Sequence, residues 1–110
     1  MAKGDFLGEF EQLVLLSIFR LGPEAYGATI RRDIEQRTGR ALAISAVYVT
    51  IARLERKKLV KTTIGEPTAE RGGRRRKHVK LLAAGEREVR AAYAAFRGMT
   101  EGLEERFDTP

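Results

Sequence analysis

The stretch Val60-Lys-Thr-Thr-Ile-Gly-Glu-Pro-Thr-Ala-Glu-Arg71-Gly-Gly-Arg-Arg-Arg-Lys77-His-Val-Lys-Leu81 decides how this chain reads. Val60, Thr62 and Ile64 alternate with Lys61 and Thr63, the period-two pattern of a half-buried strand. Lys77 to Leu81 is a second strand, with Val79 and Leu81 inward and His78 and Lys80 outward. The connection from Gly65 to Arg76 is longer than a tight hairpin needs, and loops of that length often carry function. Its end, Arg71 to Lys77, sets four arginines and a lysine around a Gly-Gly turn with no acidic residue among them. Alone, such a run reads as a solvated loop. Between two strands, and after a helix ending in Arg56, Lys57 and Lys58, it suits a polyanion with closely spaced phosphates.

Three helices are predicted ahead of this ribbon. Glu9 to Leu21 is apolar at Phe10, Leu13, Val14, Leu16 and Phe19, but also at Leu15 and Ile18. A surface helix needs one apolar stripe, so this one is expected to be buried on more than one side, with a second subunit able to supply the extra cover. Gly22-Pro23 ends it. Tyr26 to Thr38 has an inner stripe of Ile30 and Ile34, leaves Arg31, Arg32, Asp33, Glu35 and Gln36 in solvent, and stops at Gly39. Ala41 to Ile44 reads as a short extended piece. Ser45 has the chemistry of an N-cap for a third helix reaching about Lys58. Val47, Ile51 and Leu54 share one face of it; Tyr48, Val49, Ala52, Arg53 and Arg56 take the others.

After the ribbon, Ala83 to about Phe107 reads as one long helix. Val89, Ala92, Tyr93, Phe96, Met99, Leu103 and Phe107 form a stripe at three- and four-residue steps. Gly98 and Gly102 each weaken it by roughly 1 kcal/mol relative to alanine. The stripe is longer than so small a domain can cover, which favours self-association. The expected fold is mainly α with a two-stranded β wing. It consists of a winged helix-turn-helix domain over residues 6–82, then a C-terminal dimerisation helix with a short tail over 83–110.

Composition narrows the function. The chain has 110 residues, a formal net charge of +6 and a sequence pI of about 10.1, which favours an acidic partner. It has no cysteine, so disulfides and thiolate metal sites are excluded. His78 is the one histidine and cannot build a metal site of the usual kind; outward on its strand, it is expected to face solvent or phosphate. No nucleophile–base pair and no phosphate-cradling glycine motif is visible, so no enzyme activity, metal or cofactor is expected. No stretch approaches a membrane span, and Met1-Ala-Lys-Gly-Asp5 lacks the apolar core of a signal peptide. A cytoplasmic protein without membrane contact is the expectation.

Double-stranded DNA is the partner this arrangement fits. An α-helix fills a major groove, so the third helix can lie there with its early residues toward base edges. Ser45 can bond a base or phosphate and equally can cap its helix. Tyr48 can bond a phosphate while its ring joins the core in part. Val49 and Thr50 can meet a thymine methyl. Arg53 can reach phosphate or fork onto guanine, the alternative being an ion pair with Glu55 or Glu35. In the wing, Arg71, Gly72, Gly73, Arg74, Arg75, Arg76 and Lys77 are the phosphate candidates, and one arginine can enter the adjacent minor groove.

Several of these segments together resemble the PadR-like transcriptional regulators. They are Leu7-Gly-Glu-Phe-Glu-Gln-Leu-Val-Leu-Leu16, Glu24-Ala-Tyr-Gly27, Ser45-Ala-Val-Tyr48 leading to Arg53-Leu-Glu55, Gly65-Glu-Pro-Thr-Ala-Glu-Arg-Gly-Gly73 and Leu81-Leu-Ala-Ala-Gly85. Each is weak alone and specific in combination, and they cover about Phe6 to Val89. The resemblance implies a homodimeric winged-helix DNA-binding protein, usually a repressor, dimerising through its C-terminal helix with help from the first. Tyr48 and Arg53 fall on the family's recognition-helix tyrosine and arginine, and Arg71, Gly72 and Gly73 on its wing. The implied dimer interface comprises Phe10, Leu13, Val89, Tyr93, Phe96, Met99 and Leu103. His78 and Val79 stand where the family often has two aromatics, and Leu82 where it often has threonine, which removes an N-cap for the last helix. Some relatives bind flat aromatic compounds between subunits, helped by a tryptophan this chain lacks. A small-molecule effector at the dimer interface is therefore the weaker expectation, and plain dimer packing the simpler one.

The reading is thus a sequence-specific, homodimeric transcriptional regulator. It would repress by occluding a palindromic promoter site, with helix 45–58 in the major groove and wing 65–77 on the backbone. The alternatives are an RNA-binding winged helix and a protein-interaction module whose charge aids solubility.

Overall fold

The apolar run from Leu13 to Phe19 lies in helix α1, Glu9–Leu21, of the computed structural model, which describes residues 6–65 and 77–109. Glu9 and Glu11 occupy its first turn and Arg20 its last, as the helix dipole favours. Glu11 Oε1 accepts the Gly8 N–H at 3.0 Å, and its Oε2 accepts from Lys57 Nζ at 2.8 Å. Burial pushes this carboxyl up, but those two bonds and the charges of Lys57 and Arg53 outweigh it and hold the group below its ordinary range. A single 3-10 turn, Gly22–Glu24, follows.

Helix α2, Gly27–Thr38, starts where the Tyr26 N–H donates to Thr29 Oγ1 at 3.0 Å and stops at Gly39, whose φ of +74° is left-handed. Ile30 and Ile34 are buried as expected. Asp33 and Glu35 are not simply solvated. Ser17 is buried on α1, and its hydroxyl needs a partner; it donates to Asp33 Oδ2 at 2.8 Å, while Arg37 Nε donates to Oδ1 at 2.8 Å. Glu35 accepts the Leu42 N–H at 2.8 Å, fixing the turn into α3, Ile44–Arg56.

Ser45 is not the N-cap of α3. That position is Ala43, whose carbonyl accepts the Ala46 N–H at 3.1 Å, and Ser45 lies inside the first turn. Ile44 packs against the core, which draws the helix start ahead of the polar residue and leaves no extended piece reaching Ile44. Val47, Ile51 and Leu54 are buried with Val14, Leu15 and Ile18 of α1, so the helices share one core.

Strands β1, Val60–Ile64, and β2, Lys77–Leu81, pair antiparallel, with Val60 opposite Leu81 and Thr62 opposite Val79. Val60 and Val79 are buried, but Ile64, expected inward, is exposed: burial fades along β1 toward the tip of the ribbon. On its other edge β2 meets the chain between the 3-10 turn and α2, where the Val79 N–H donates to the Ala25 carbonyl at 2.8 Å. His78, expected to face solvent or phosphate, is partly buried there, with its ring edge-on to Tyr26 at 5.6 Å.

Helix α4, Ala83–Thr100, begins where expected, with Leu82 as a cap residue that offers no side-chain bond. The Leu82 N–H donates to the Leu59 carbonyl at 3.0 Å. Gly85 is buried directly against that carbonyl, leaving no room for a Cβ. Val89 is buried in the chain's own core, so this member of the expected interface stripe is already covered. The single helix to Phe107 is broken: Gly102 takes φ +86°, and a short helix α5, Glu104–Asp108, follows.

Two glycines in α4 should therefore respond oppositely. Gly85→Ala is expected to destabilise by about 1–3 kcal/mol, because the new methyl meets backbone. Gly98→Ala, whose methyl meets open space, is expected to stabilise by about 1 kcal/mol. Urea unfolding midpoints of the two variants check both signs.

Candidate nucleic-acid interface

The apolar stripe of α3 settles which side of it is free. With Val47, Ile51 and Leu54 turned into the core, the opposite face presents Ser45, Ala46, Tyr48, Val49, Ala52, Arg53 and Arg56 to solvent. Four of the five residues expected on the recognition helix (Ser45, Tyr48, Val49 and Arg53) lie on this one surface. Thr50 does not. It is 4% exposed, and its hydroxyl donates to the Ala46 carbonyl at 2.8 Å, so neither its methyl nor its hydroxyl is open to a base.

Tyr48 is positioned by a glycine. A Cβ on Gly27 would stand 2.5 Å from Tyr48 Cε1 and 2.8 Å from its hydroxyl oxygen. The ring therefore lies on the first turn of α2 and is half-exposed, so it packs on one side and leaves the other open to solvent. The sequence contained this signal in Tyr26-Gly27, but the glycine's partner is twenty-one positions away and could not be read from spacing.

The ion-pair alternatives for Arg53 are both taken up elsewhere. Glu55 Oε2 accepts the Thr62 N–H at 3.1 Å and the Thr62 hydroxyl at 2.8 Å, bracing β1 against α3. Those two bonds, with the charge of Lys77, hold the Glu55 carboxyl below its ordinary range. Glu35 holds Arg31 and the Leu42 amide. Arg53 is left exposed on the face it shares with Ser45 and Val49. Lys57, by contrast, is engaged with Glu11, and Lys58 turns the chain toward β1 at φ +62°.

The expected wing residues Arg71, Gly72, Gly73, Arg74, Arg75 and Arg76 lie outside the described residues; Lys77, at the start of β2, is exposed. Sequence reasoning missed a second basic feature of the ribbon. Lys61 and Lys80 sit directly opposite each other in the register and are both exposed. Like charges facing each other across a sheet are unfavourable, and a nearby anion relieves them. The signal was present in the alternation, since both were outward positions of adjacent strands.

The chain also has an apolar cleft between α1 and α4, lined by Phe6, Leu13, Leu16, Ala92, Tyr93 and Phe96 among others. Leu16, Phe19, Tyr93, Phe96 and Met99 are all exposed. Phe10 and Leu13 are partly buried against the core, and Leu103 is partly buried next to the Gly102 break. No helix among the described residues is long and apolar enough to cross a membrane.

A helix-turn-helix whose third helix keeps a free face, followed by a two-stranded ribbon, defines a winged helix. Residues 15–91 match the transcriptional regulator PadR-like family. The chain belongs to that family: it is a DNA-binding transcriptional regulator and not an enzyme. Among solved structures, a PadR family regulator from Clostridium difficile R20291 superposes with a TM-score of 0.69 at 21% identity, over 89% of this chain and 98% of that one. A PadR family regulator from Eggerthella lenta gives 0.65 at 23% identity, over 93% and 88%. MepR of Staphylococcus aureus, in a complex with DNA, gives 0.65 at 18% identity, over 88% of this chain and 62% of that one. At these identities the likeness shows a shared fold. No curated protein matches the chain.

Arg53→Ala separates the two roles that a surface arginine can have. Since Arg53 is exposed and acts on the fold only through its charge on Glu11, stability in urea is expected to change by less than about 0.5 kcal/mol. Affinity for a specific duplex, read by fluorescence anisotropy, is expected to fall by roughly 1–3 kcal/mol.

Proposed function

We propose that this regulator is a homodimeric repressor that occludes a palindromic promoter site in the cytoplasm. The observation that carries the dimer is the exposed apolar surface of α4. Phe96 is 65% exposed and Met99 78%, and they continue toward Tyr93 and the cleft against α1. A contiguous apolar surface of this kind marks a protein contact, and a two-fold axis lets one patch serve both subunits. Residues 83–110 then act as the dimerisation segment. Leu16 of α1 lines the same cleft, which accounts for part of the two-sided apolarity of that helix; Phe19 lies instead beside β2, with the Arg90 guanidinium over its ring.

Two-fold symmetry would place two copies of α3 in successive major grooves, about 34 Å apart, with each wing over residues 65–77 gripping flanking phosphates. Repression would follow from excluding polymerase at the occupied site. An effector seated between the subunits is the weaker reading, since Tyr93, Phe96 and Met99 are accounted for by packing alone.

Phe96→Asp tests the dimer directly. Because Phe96 is exposed in the protomer, the variant is expected to keep its helical circular dichroism, sediment as a monomer and bind operator DNA much more weakly. A Phe96→Asp protein that still sediments as a dimer would remove this surface as the interface. Selection from random duplexes is expected to return inverted repeats with half-site centres about 10 base pairs apart; asymmetric single sites would contradict the palindromic reading.

A further inference from the structure

An aliphatic side chain that the fold does not use stands at the centre of the free face of α3. Val49 is 51% exposed and takes no part in the core cluster. Its β-branch lowers helix propensity, so nothing local favours it there. The residues around it are small or lead away: Ser45 one turn before, Ala46 and Ala52 beside it, Arg53 one turn after. Val49 is thus the bulkiest aliphatic side chain of this face; the half-exposed ring of its neighbour Tyr48 leans onto the first turn of α2. Thr50, the other methyl-bearing candidate, is buried and bonded to the Ala46 carbonyl.

In the major groove a methyl has one favourable counterpart. Thymine presents its 5-methyl, whereas guanine, adenine and cytosine present donors and acceptors at their edges. A valine pressed on those groups would strip their water and offer no bond in return. We infer that Val49 is a specificity-determining residue that selects a thymine in each half-site through the 5-methyl group. The inference rests on the proposal that α3 lies in the major groove, and it names what that helix reads at its centre.

Uracil in place of thymine removes the methyl and leaves base pairing intact, so the test is a cycle between base and side chain. The full-length protein is titrated against its selected duplex and against duplexes carrying uracil at one thymine position at a time. One position per half-site is expected to lose about fourfold in affinity, the worth of one buried methyl group. In Val49→Ala that loss is expected to shrink toward none, and in Val49→Ile to persist. Both variants change an exposed residue, and circular dichroism confirms their folding. Specific binding that is indifferent to uracil at every position would overturn this inference alone, as would a uracil loss undiminished in Val49→Ala. Failure to prefer any duplex over scrambled DNA would overturn the groove reading together with it.

Discussion

The burial of Val47, Ile51 and Leu54 against α1 and α2 is the constraint on which the rest of this structure depends. One apolar stripe on a thirteen-residue helix fixes its rotation about its own axis. Ser45, Val49 and Arg53 then share the opposite face because they are spaced by one turn. The same rotation seals Thr50 inside. Fully burying side chains of this size stabilises by about 1.5–3 kcal/mol each, so the orientation is not easily lost. What the helix can read is decided by what it must bury.

Around that contact, polar groups act as braces. Glu55 ties α3 to β1 through Thr62, Glu11 ties α1 to Lys57 behind α3, and Asp33 gathers Ser17 and Arg37. Glu55, bonded to Thr62, and Glu35, held by Arg31 and the Leu42 amide, are thereby withdrawn from pairing with Arg53. The exposed basic side is therefore left to arginine and lysine, including the facing Lys61 and Lys80.

Much of this was legible in the residues. The boundaries of α1, β1 and β2 and the start of α4 followed from apolar period and from glycine and proline. What could not be read depended on contacts distant in sequence. The start of α3 was misplaced because the pull of Ile44 into the core outweighs the capping chemistry of Ser45. His78 alternates outward on its strand, yet Tyr26 closes over it from a segment fifty-two positions earlier. Ile64 keeps the strand alternation but lies where burial has faded. Gly102 was seen as a weak point, and the backbone turns it into a break. Of the candidate residues on α3, Ser45, Tyr48, Val49 and Arg53 are exposed, whereas Thr50 is buried, because a position one step past Val49 already faces inward.

The central claim is that this free face and the basic ribbon recognise duplex DNA by sequence. Fluorescence anisotropy across a salt series, with labelled duplex from upstream of the protein's own gene and scrambled duplex as competitor, tests it most directly. The account predicts tight binding that survives scrambled competitor near physiological salt, with affinity falling linearly in log salt as phosphate contacts release counterions. Weak binding that is equal for both duplexes and lost with salt, and that persists as the outcome when genomic fragments are screened, would contradict it.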